Sequence, residues 1–592
     1  MSVKKLLVSC YPYIILGLGV LLLLCKCFYS FCWSDETFYF STAYRFYQGD
    51  SIFLHEWFPT QLSAVLLLPL LSLYMAVTGS VSGIILFFRI CFVIFASFSS
   101  LTVYQILKHT VRKTTALFCA LTVLFYTHLN IATLSYYTIS VHCFLLAMLL
   151  IYHYYQTQKK RFLLISGILF ALCVLALPTM AVAYFLVMAV LLLLLLSMRI
   201  LKLPAAFQAL LRKAELPSVC FYTFLGICIP AVLFFIFLLT NVSISDFINA
   251  IPFVLSDEEH GTSLVYPLKK FFIGINEVYG FAAYAGYLLV LVTFFLGRFF
   301  SDASKKAAAA IDFILFVIYF SFSLGHTGYI QTAVCMTALP LFFLTKKKNW
   351  KLFFLLFGGG MIFSVVFSYS SNGYLYILSM GHFIASIAAL LFIQDFSAEQ
   401  MSDKLHGKLC QVLCTAVVCV AVLQTITLRI VNVYRDAPMP DLTAKITEGP
   451  AGGLYTTEEH LSMYQTVYDT LQTYCQSDSE GVNAKNQTLF ITKLLPYGYL
   501  CTDLKCAAPT TWRTAFNSKR LEPYYEINPD RFPDLILVLD EQYGSYDTCG
   551  DVEADPAPNA NEIGGYLLDS IEDMQYEKLS VPCGTLYRRP AL

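Results

Sequence analysis

What most constrains this chain is that apolar runs long enough to cross a bilayer recur through its first 431 residues. A helix needs about 20 mostly apolar residues to cross a hydrocarbon core roughly 30 Å thick. Such segments fall at 10–31, 85–107, 115–128, 139–157, 162–178, 181–198, 218–240, 271–297, 310–325, 329–345, 352–368, 374–394 and 409–431, which predicts thirteen spans. With 58% hydrophobic and only 13% charged residues, the chain lies far from soluble composition. Lipid is therefore its expected surroundings. Its formal net charge of zero gives no bulk attraction to nucleic acid, so the charges matter through their positions.

Those positions orient the chain. The first run follows Lys4 and Lys5 and ends in "CKCFYSFCW" without a small-residue cleavage site, which predicts an uncleaved anchor starting in the cytoplasm. "LSAVLLLPLLSLYMAV" at 62–77 is apolar but short and contains Pro69. If it crossed, the basic loop "KHTVRK" would face outward, against the positive-inside tendency. If it lies along the surface, that loop and the clusters at 159–161, 199–213, 298–306, 346–351 and 404–408 all face the cytoplasm. The expected plan is thus an all-α multispan domain over 1–431, with residues 33–84 as one long outer loop bearing juxtamembrane helices.

Beyond the last span, residues 432–592 turn polar and carry both helix-like "EEHLSMYQTVYDTLQTY" and the apolar run "PDLILVLD". They predict a small extracytoplasmic α/β domain, with "LILVLD" in the run at 533–540 as a buried strand whose last residue, Asp540, meets solvent at the sheet edge. Five cysteines there, Cys475, Cys501, Cys506, Cys549 and Cys583, allow at most two disulfides. "CTDLKC" lacks zinc-ligand spacing, and no residue is assigned to metal.

The first outer loop holds residues suited to a reaction. In "SDETFYFSTAYRFYQGD", Ser34 fits an N-cap, Asp35 and Glu36 fall in a first helical turn, and Phe38, Phe40, Tyr44 and Tyr47 share a face. The plainer reading makes the acids stabilisers of an interfacial helix through its dipole. The sharper one makes an acid the general base for an acceptor hydroxyl or amine. "HEWFPTQ" brings His55 and Glu56 to the same surface.

The stretch from "SDETFYFSTAYRFYQGD" through "HEWFPTQLSAVLLLPLLSLYMAVTG" to "ILFFRICFVIFASFSSLTVYQILKHTVRKTTALFCAL" resembles the GT-C superfamily of integral membrane glycosyltransferases, in the branch of the protein O-mannosyltransferases and lipid A aminoarabinose transferases. The resemblance covers roughly the first 200 residues. It implies transfer of a sugar from a polyprenyl phosphate to an extracytoplasmic acceptor with inversion. Asp35 then matches the base and Glu36 its neighbour, Glu56 an acid ahead of a proline, and Arg89 the arginine opening the second span. Three departures stand out: "HLNIATLSYYTIS" offers Tyr136, Tyr137 and Thr138 where members carry an Asp, "LALPTMAVAY" has Pro178 and Thr179 in place of a cation, and no lysine flanks Glu56. No cofactor is required by these residues, and a divalent cation is compatible with them.

A phosphate needs donors, and the outer-face supply is Arg45, Arg89, Lys269, Lys270 and His260 of "DEEH". The plainer readings make Lys269 and Lys270 snorkelling residues and "DEEH" a solvated turn. "SLGHTGY" at 323–329 and "SYSSNGY" at 368–374 imply irregular backbone facing a cavity or, equally, tight turns. A lipid-linked glycan transporter or polymerase, or a non-catalytic glycan-binding membrane protein, is the alternative, although no inverted repeat or recurrent mid-membrane charge supports transport. Short loops without retention signals favour a bacterial plasma membrane, where "NVS" and "NQT" carry no glycan.

Overall fold

The computed structural model describes residues 3–200, 215–255, 265–369, 375–400, 406–476, 487–512, 518–543 and 565–590. It is 73% helical, with a small C-terminal sheet. Continuous apolar sequence becomes helix here because only a helix satisfies every backbone N–H and C=O within one segment.

All thirteen expected segments contain helix, but they do not give thirteen full-length spans. Among the described residues nine helices are long and apolar enough to cross a membrane, and six further apolar helices are shorter. Lys113–Phe125 and Arg161–Ala176 are among the short ones. The run expected over 271–297 is broken by Gly280, whose φ of +52° and ψ of −131° suit glycine alone, into Tyr266–Tyr279 and Phe281–Leu296. Gln61–Thr78 is one continuous 18-residue helix despite Pro69, so by length and composition it meets the requirement for a span that the charge argument denied it.

The ends of this helix show what surrounds it. Four residues before it, Trp57 N–H donates to Pro509 O at 2.7 Å; five residues after it, Gly83 N–H donates to Gly449 O at 3.0 Å. Both flanks are therefore tied to the C-terminal domain. Helices Arg161–Ala176 and Leu216–Asn241 meet at Gly167 and Gly226, where a Cβ would run into the facing backbone, the small-residue contact that lets apolar helices pack closely.

In the C-terminal region, β1 (Ala444–Lys445) and β2 (Tyr455–Thr456) pair antiparallel. The larger sheet is built from β3 (Thr488–Ile491), β4 (Lys505–Cys506), β5 (Leu535–Leu539), β6 (Glu577–Val581) and β7 (Gly584–Arg588), in the order β4-β3-β5-β7-β6. β3 runs parallel to β4 and β5, whereas β7 is antiparallel to β5 and β6. "LILVL" is thus the central strand, ending one residue before Asp540, which the sequence made its last residue, and helices at 458–474, 518–527 and 565–573 complete an α/β unit. Cys475, Cys501, Cys506 and Cys583 are buried free thiols, and Cys549 lies outside the described residues.

Candidate functional site

The helix that opens the first loop spans Asp35–Tyr47, so the acid pair does occupy its first turn. Two features differ from expectation. Ser34 makes no side-chain cap; its Oγ accepts from Arg435 Nη1 at 2.6 Å instead. Nor is the helix interfacial: every residue from Glu36 to Phe46 is buried, because the C-terminal domain covers it through Ser41 Oγ to Thr511 Oγ1 at 3.0 Å and through Phe38 against Trp512.

Within the pair the environments diverge. Glu36 is 3% exposed and is held by Arg89 through two parallel bonds, Nε to Oε1 at 2.7 Å and Nη2 to Oε2 at 2.5 Å. Arg89 Nη1 also donates to Cys27 O and Tyr29 O at 2.9 and 3.0 Å, fastening the exit of the first helix to Ile84–Leu107. Glu36 is therefore committed to structure. Asp35 is 14% exposed and accepts from Tyr434 Oη at 2.6 Å and from Arg435 Nη1 at 2.8 Å. Burial, reinforced by the Asp35 charge, holds the Tyr434 phenol well above its ordinary range and keeps it a donor. Tyr39, Tyr136 and Tyr137 lie close enough to feel that carboxylate, with Tyr136 and Tyr137 ring centroids 3.9 Å apart. These are the tyrosines that stand where the resemblance expects an acid.

A polar cavity of about 190 Å³ reaches Val433, next in sequence to the pair that holds this acid. Asn130, His326, Tyr329, Tyr376 and Asn432 contribute to its lining. Asn432 and the neighbouring Val433 directly precede the two residues that grip Asp35. Tyr376 leads to Tyr137 by way of His128, whose ring centroid is 6.1 Å from Tyr376 and 4.6 Å from Tyr137. His326 stacks on Tyr329 at 4.8 Å. "SLGHTGY" thus lines a cavity; residues 370–374 of "SYSSNGY" lie outside the described residues.

The other sequence candidates are elsewhere. Glu56 is fully buried and meets Arg45 Nη1 at 3.2 Å; Arg45 also bonds Asp50 and His55 O, and donates to Tyr524 Oη at 2.8 Å. Arg531 closes this network on Asp50 at 2.7 Å. Burial pushes Glu56 up, with Arg45 opposing. Burial would also raise Asp50, but Arg45 and then Arg531 hold it below its usual range. His55 Nδ1 accepts from Ser51 N–H at 2.7 Å, and burial lowers the imidazole to about 4. Arg45, His55 and Glu56 therefore fasten the loop to the C-terminal domain. Lys269 is exposed on Tyr266–Tyr279, and Lys270 is buried with Nζ 5.2 Å from the Tyr266 ring. His260 lies outside the described residues. Among the described residues no group of three or more His, Cys, Asp or Glu is placed to hold a metal ion.

Sequence reasoning passed over Tyr434 and Arg435. The available signal was "YRD" directly after the last long apolar run.

The fold defines a many-helix chain whose apolar helices fit a multi-pass membrane protein, with an α/β domain seated on one end. No protein-family model matches the chain, and no curated protein does.

Proposed function

We propose that this protein is a membrane glycosyltransferase that moves a sugar from a polyprenyl-phosphate donor to an extracytoplasmic acceptor with inversion, in a plasma membrane. The observation that carries the reading is the separation of the acid pair. Glu36 is locked to Arg89, whereas Asp35 keeps an exposed edge and is held by Tyr434 and Arg435, which follow directly in sequence on the Asn432–Val433 wall of a polar cavity. In the reaction, the acceptor O–H or N–H proton goes to the Asp35 carboxylate as the acceptor atom bonds to the sugar's anomeric carbon. The anomeric C–O bond breaks on the opposite face, and its electron pair leaves with the lipid phosphate. The leaving group is already stable, so positioning and one base supply most of what is needed. Arg435 and Tyr434 orient that base.

The test is transfer of radiolabel from a panel of polyprenyl-phosphate sugars by the purified protein. Asp35→Asn is expected to lose at least about 100-fold in transfer, the span of general base catalysis, while migrating as a folded monodisperse species. Undiminished transfer by that variant would remove Asp35 from the mechanism.

A further inference from the structure

A cavity of about 260 Å³, larger than the polar one, lies among Tyr136–Thr157, Arg161–Ala176, Thr179–Ile200, Leu216–Asn241 and Trp350–Phe367. The way these helices meet creates it. Arg161–Ala176 and Leu216–Asn241 cross with backbone against backbone at Gly167 and Gly226, whereas Thr179–Ile200 is peripheral, with Val182, Phe185 and Leu186 exposed. The space left between the close crossing and the peripheral helix is the cavity.

Its walls decide what it can hold. Among the described residues no charged side chain lines it, and the wall hydroxyls of Ser166 and Thr223 are already spent, donating to Ala147 O at 2.8 Å and Val219 O at 2.6 Å. An apolar cavity of roughly 150 Å³ stays dry and takes up benzene, so this larger one suits hydrocarbon. Of its lining residues, Val187, Phe354 and Ile362 are 42, 67 and 44% exposed. The cavity therefore opens through the side of the bundle, onto surface that faces lipid. One end can also be placed. Tyr136–Thr157 begins against Tyr39 of the acid-pair helix, with ring centroids 5.6 Å apart, so Tyr155 stands at its far end, away from the C-terminal domain. Tyr155 lines the cavity, and the exposed Lys351 holds its Nζ 4.2 Å from the centre of that ring. A hydrocarbon slot that ends beside a lysine at the membrane surface has the layout of a phospholipid.

We propose that this cavity binds one acyl chain of a phospholipid from the leaflet opposite the C-terminal domain, with the lipid phosphate at Lys351. The bound chain fills the space behind Thr179–Ile200 and packs that helix onto the bundle. The site does not depend on the transferase reading. The test is native mass spectrometry of delipidated full-length protein in micelles, titrated with phosphatidylglycerol and with diacylglycerol of the same chains. Val219→Trp and Ile362→Trp fill the cavity, Phe322→Trp places the same bulk at an exposed position outside its lining, and Lys351→Gln removes the cation. Each is taken from the folded gel-filtration peak.

Wild type is expected to hold one phosphatidylglycerol per chain. Each buried methylene is worth about fourfold, so the two filling variants should weaken it at least about tenfold. Phe322→Trp should leave it unchanged, Lys351→Gln should weaken it about fivefold, and diacylglycerol should bind less tightly. Unchanged affinity in both filling variants, or an equal loss in Phe322→Trp, would overturn the site. Diacylglycerol binding as tightly as phosphatidylglycerol would overturn the phosphate contact. Displacement of phosphatidylglycerol by equimolar farnesyl phosphate would overturn the phospholipid assignment in favour of an isoprenoid chain. A dimer in wild type that becomes a monomer in the filling variants would overturn it in favour of a second copy of this chain.

Discussion

Removing one side of a buried ion pair strands the other charge in a medium that cannot solvate it, and Arg89 with Glu36 is such a pair. Glu36→Gln is therefore expected to cost about 3 kcal/mol of stability, read as a lower unfolding midpoint and reduced folded yield, and the double variant with Arg89→Met should recover part of the loss. Asp35→Asn, at a partly open pair with Arg435, should cost less than about 1 kcal/mol. Equal destabilisation by the two single substitutions would contradict this division of labour. The pair itself was legible in "SDET", and so was its place in a first helical turn. Which acid is spent on structure was not, because the deciding partners are remote: Arg89 is 53 residues from Glu36, and Tyr434 is 399 from Asp35.

At the scale of elements, the segment from Arg45 to Gln61 joins two helices and is locked to the C-terminal domain by Asp50, Arg531 and Tyr524. Its ionisable groups make that lock sensitive to acid. His55 is lowered from an ordinary value of 6.5 to about 4, so between those values the unfolded chain binds a proton that the folded chain refuses. Stability must then fall as the pH drops through that window, by on the order of 3 kcal/mol for the whole shift. Asp50 adds a loss at lower pH, because its folded pKa is depressed; Glu56, whose pKa is raised, acts in the opposite direction. His55→Gln should flatten the unfolding midpoint between pH 6.5 and 4 relative to wild type. An unchanged slope would place the acid sensitivity elsewhere. From sequence these residues looked like substrate ligands, since a polar cluster on an outer loop looks the same whether it faces solvent or another domain.

At the scale of the whole molecule, the C-terminal domain explains a helix that composition alone misleads about. An 18-residue helix is about 27 Å long, nearly the thickness of the hydrocarbon core, and Gln61–Thr78 is apolar enough to fill it. Yet a helix that crossed would put its two ends on opposite faces of the membrane, and one extramembrane domain cannot hydrogen-bond backbone at both. Pro509 O and Gly449 O do bond both flanks, so the helix is expected to lie along one surface beneath the domain. The positive-inside pattern of the loops points the same way, from independent evidence. Membrane-impermeant maleimide labelling of intact vesicles tests it, with single cysteines introduced as Ser80→Cys, Glu459→Cys and His109→Cys at exposed positions in a Cys25→Ser background. Ser80→Cys and Glu459→Cys should label from one face, and His109→Cys, beyond Ile84–Leu107, only from the other. If instead Ser80→Cys labels with His109→Cys and opposite Glu459→Cys, then Ile84–Leu107 does not cross and the helix before it does. Asp35 would then no longer meet Tyr434 and Arg435 at the root of the C-terminal domain, and the proposed site would lose its architecture.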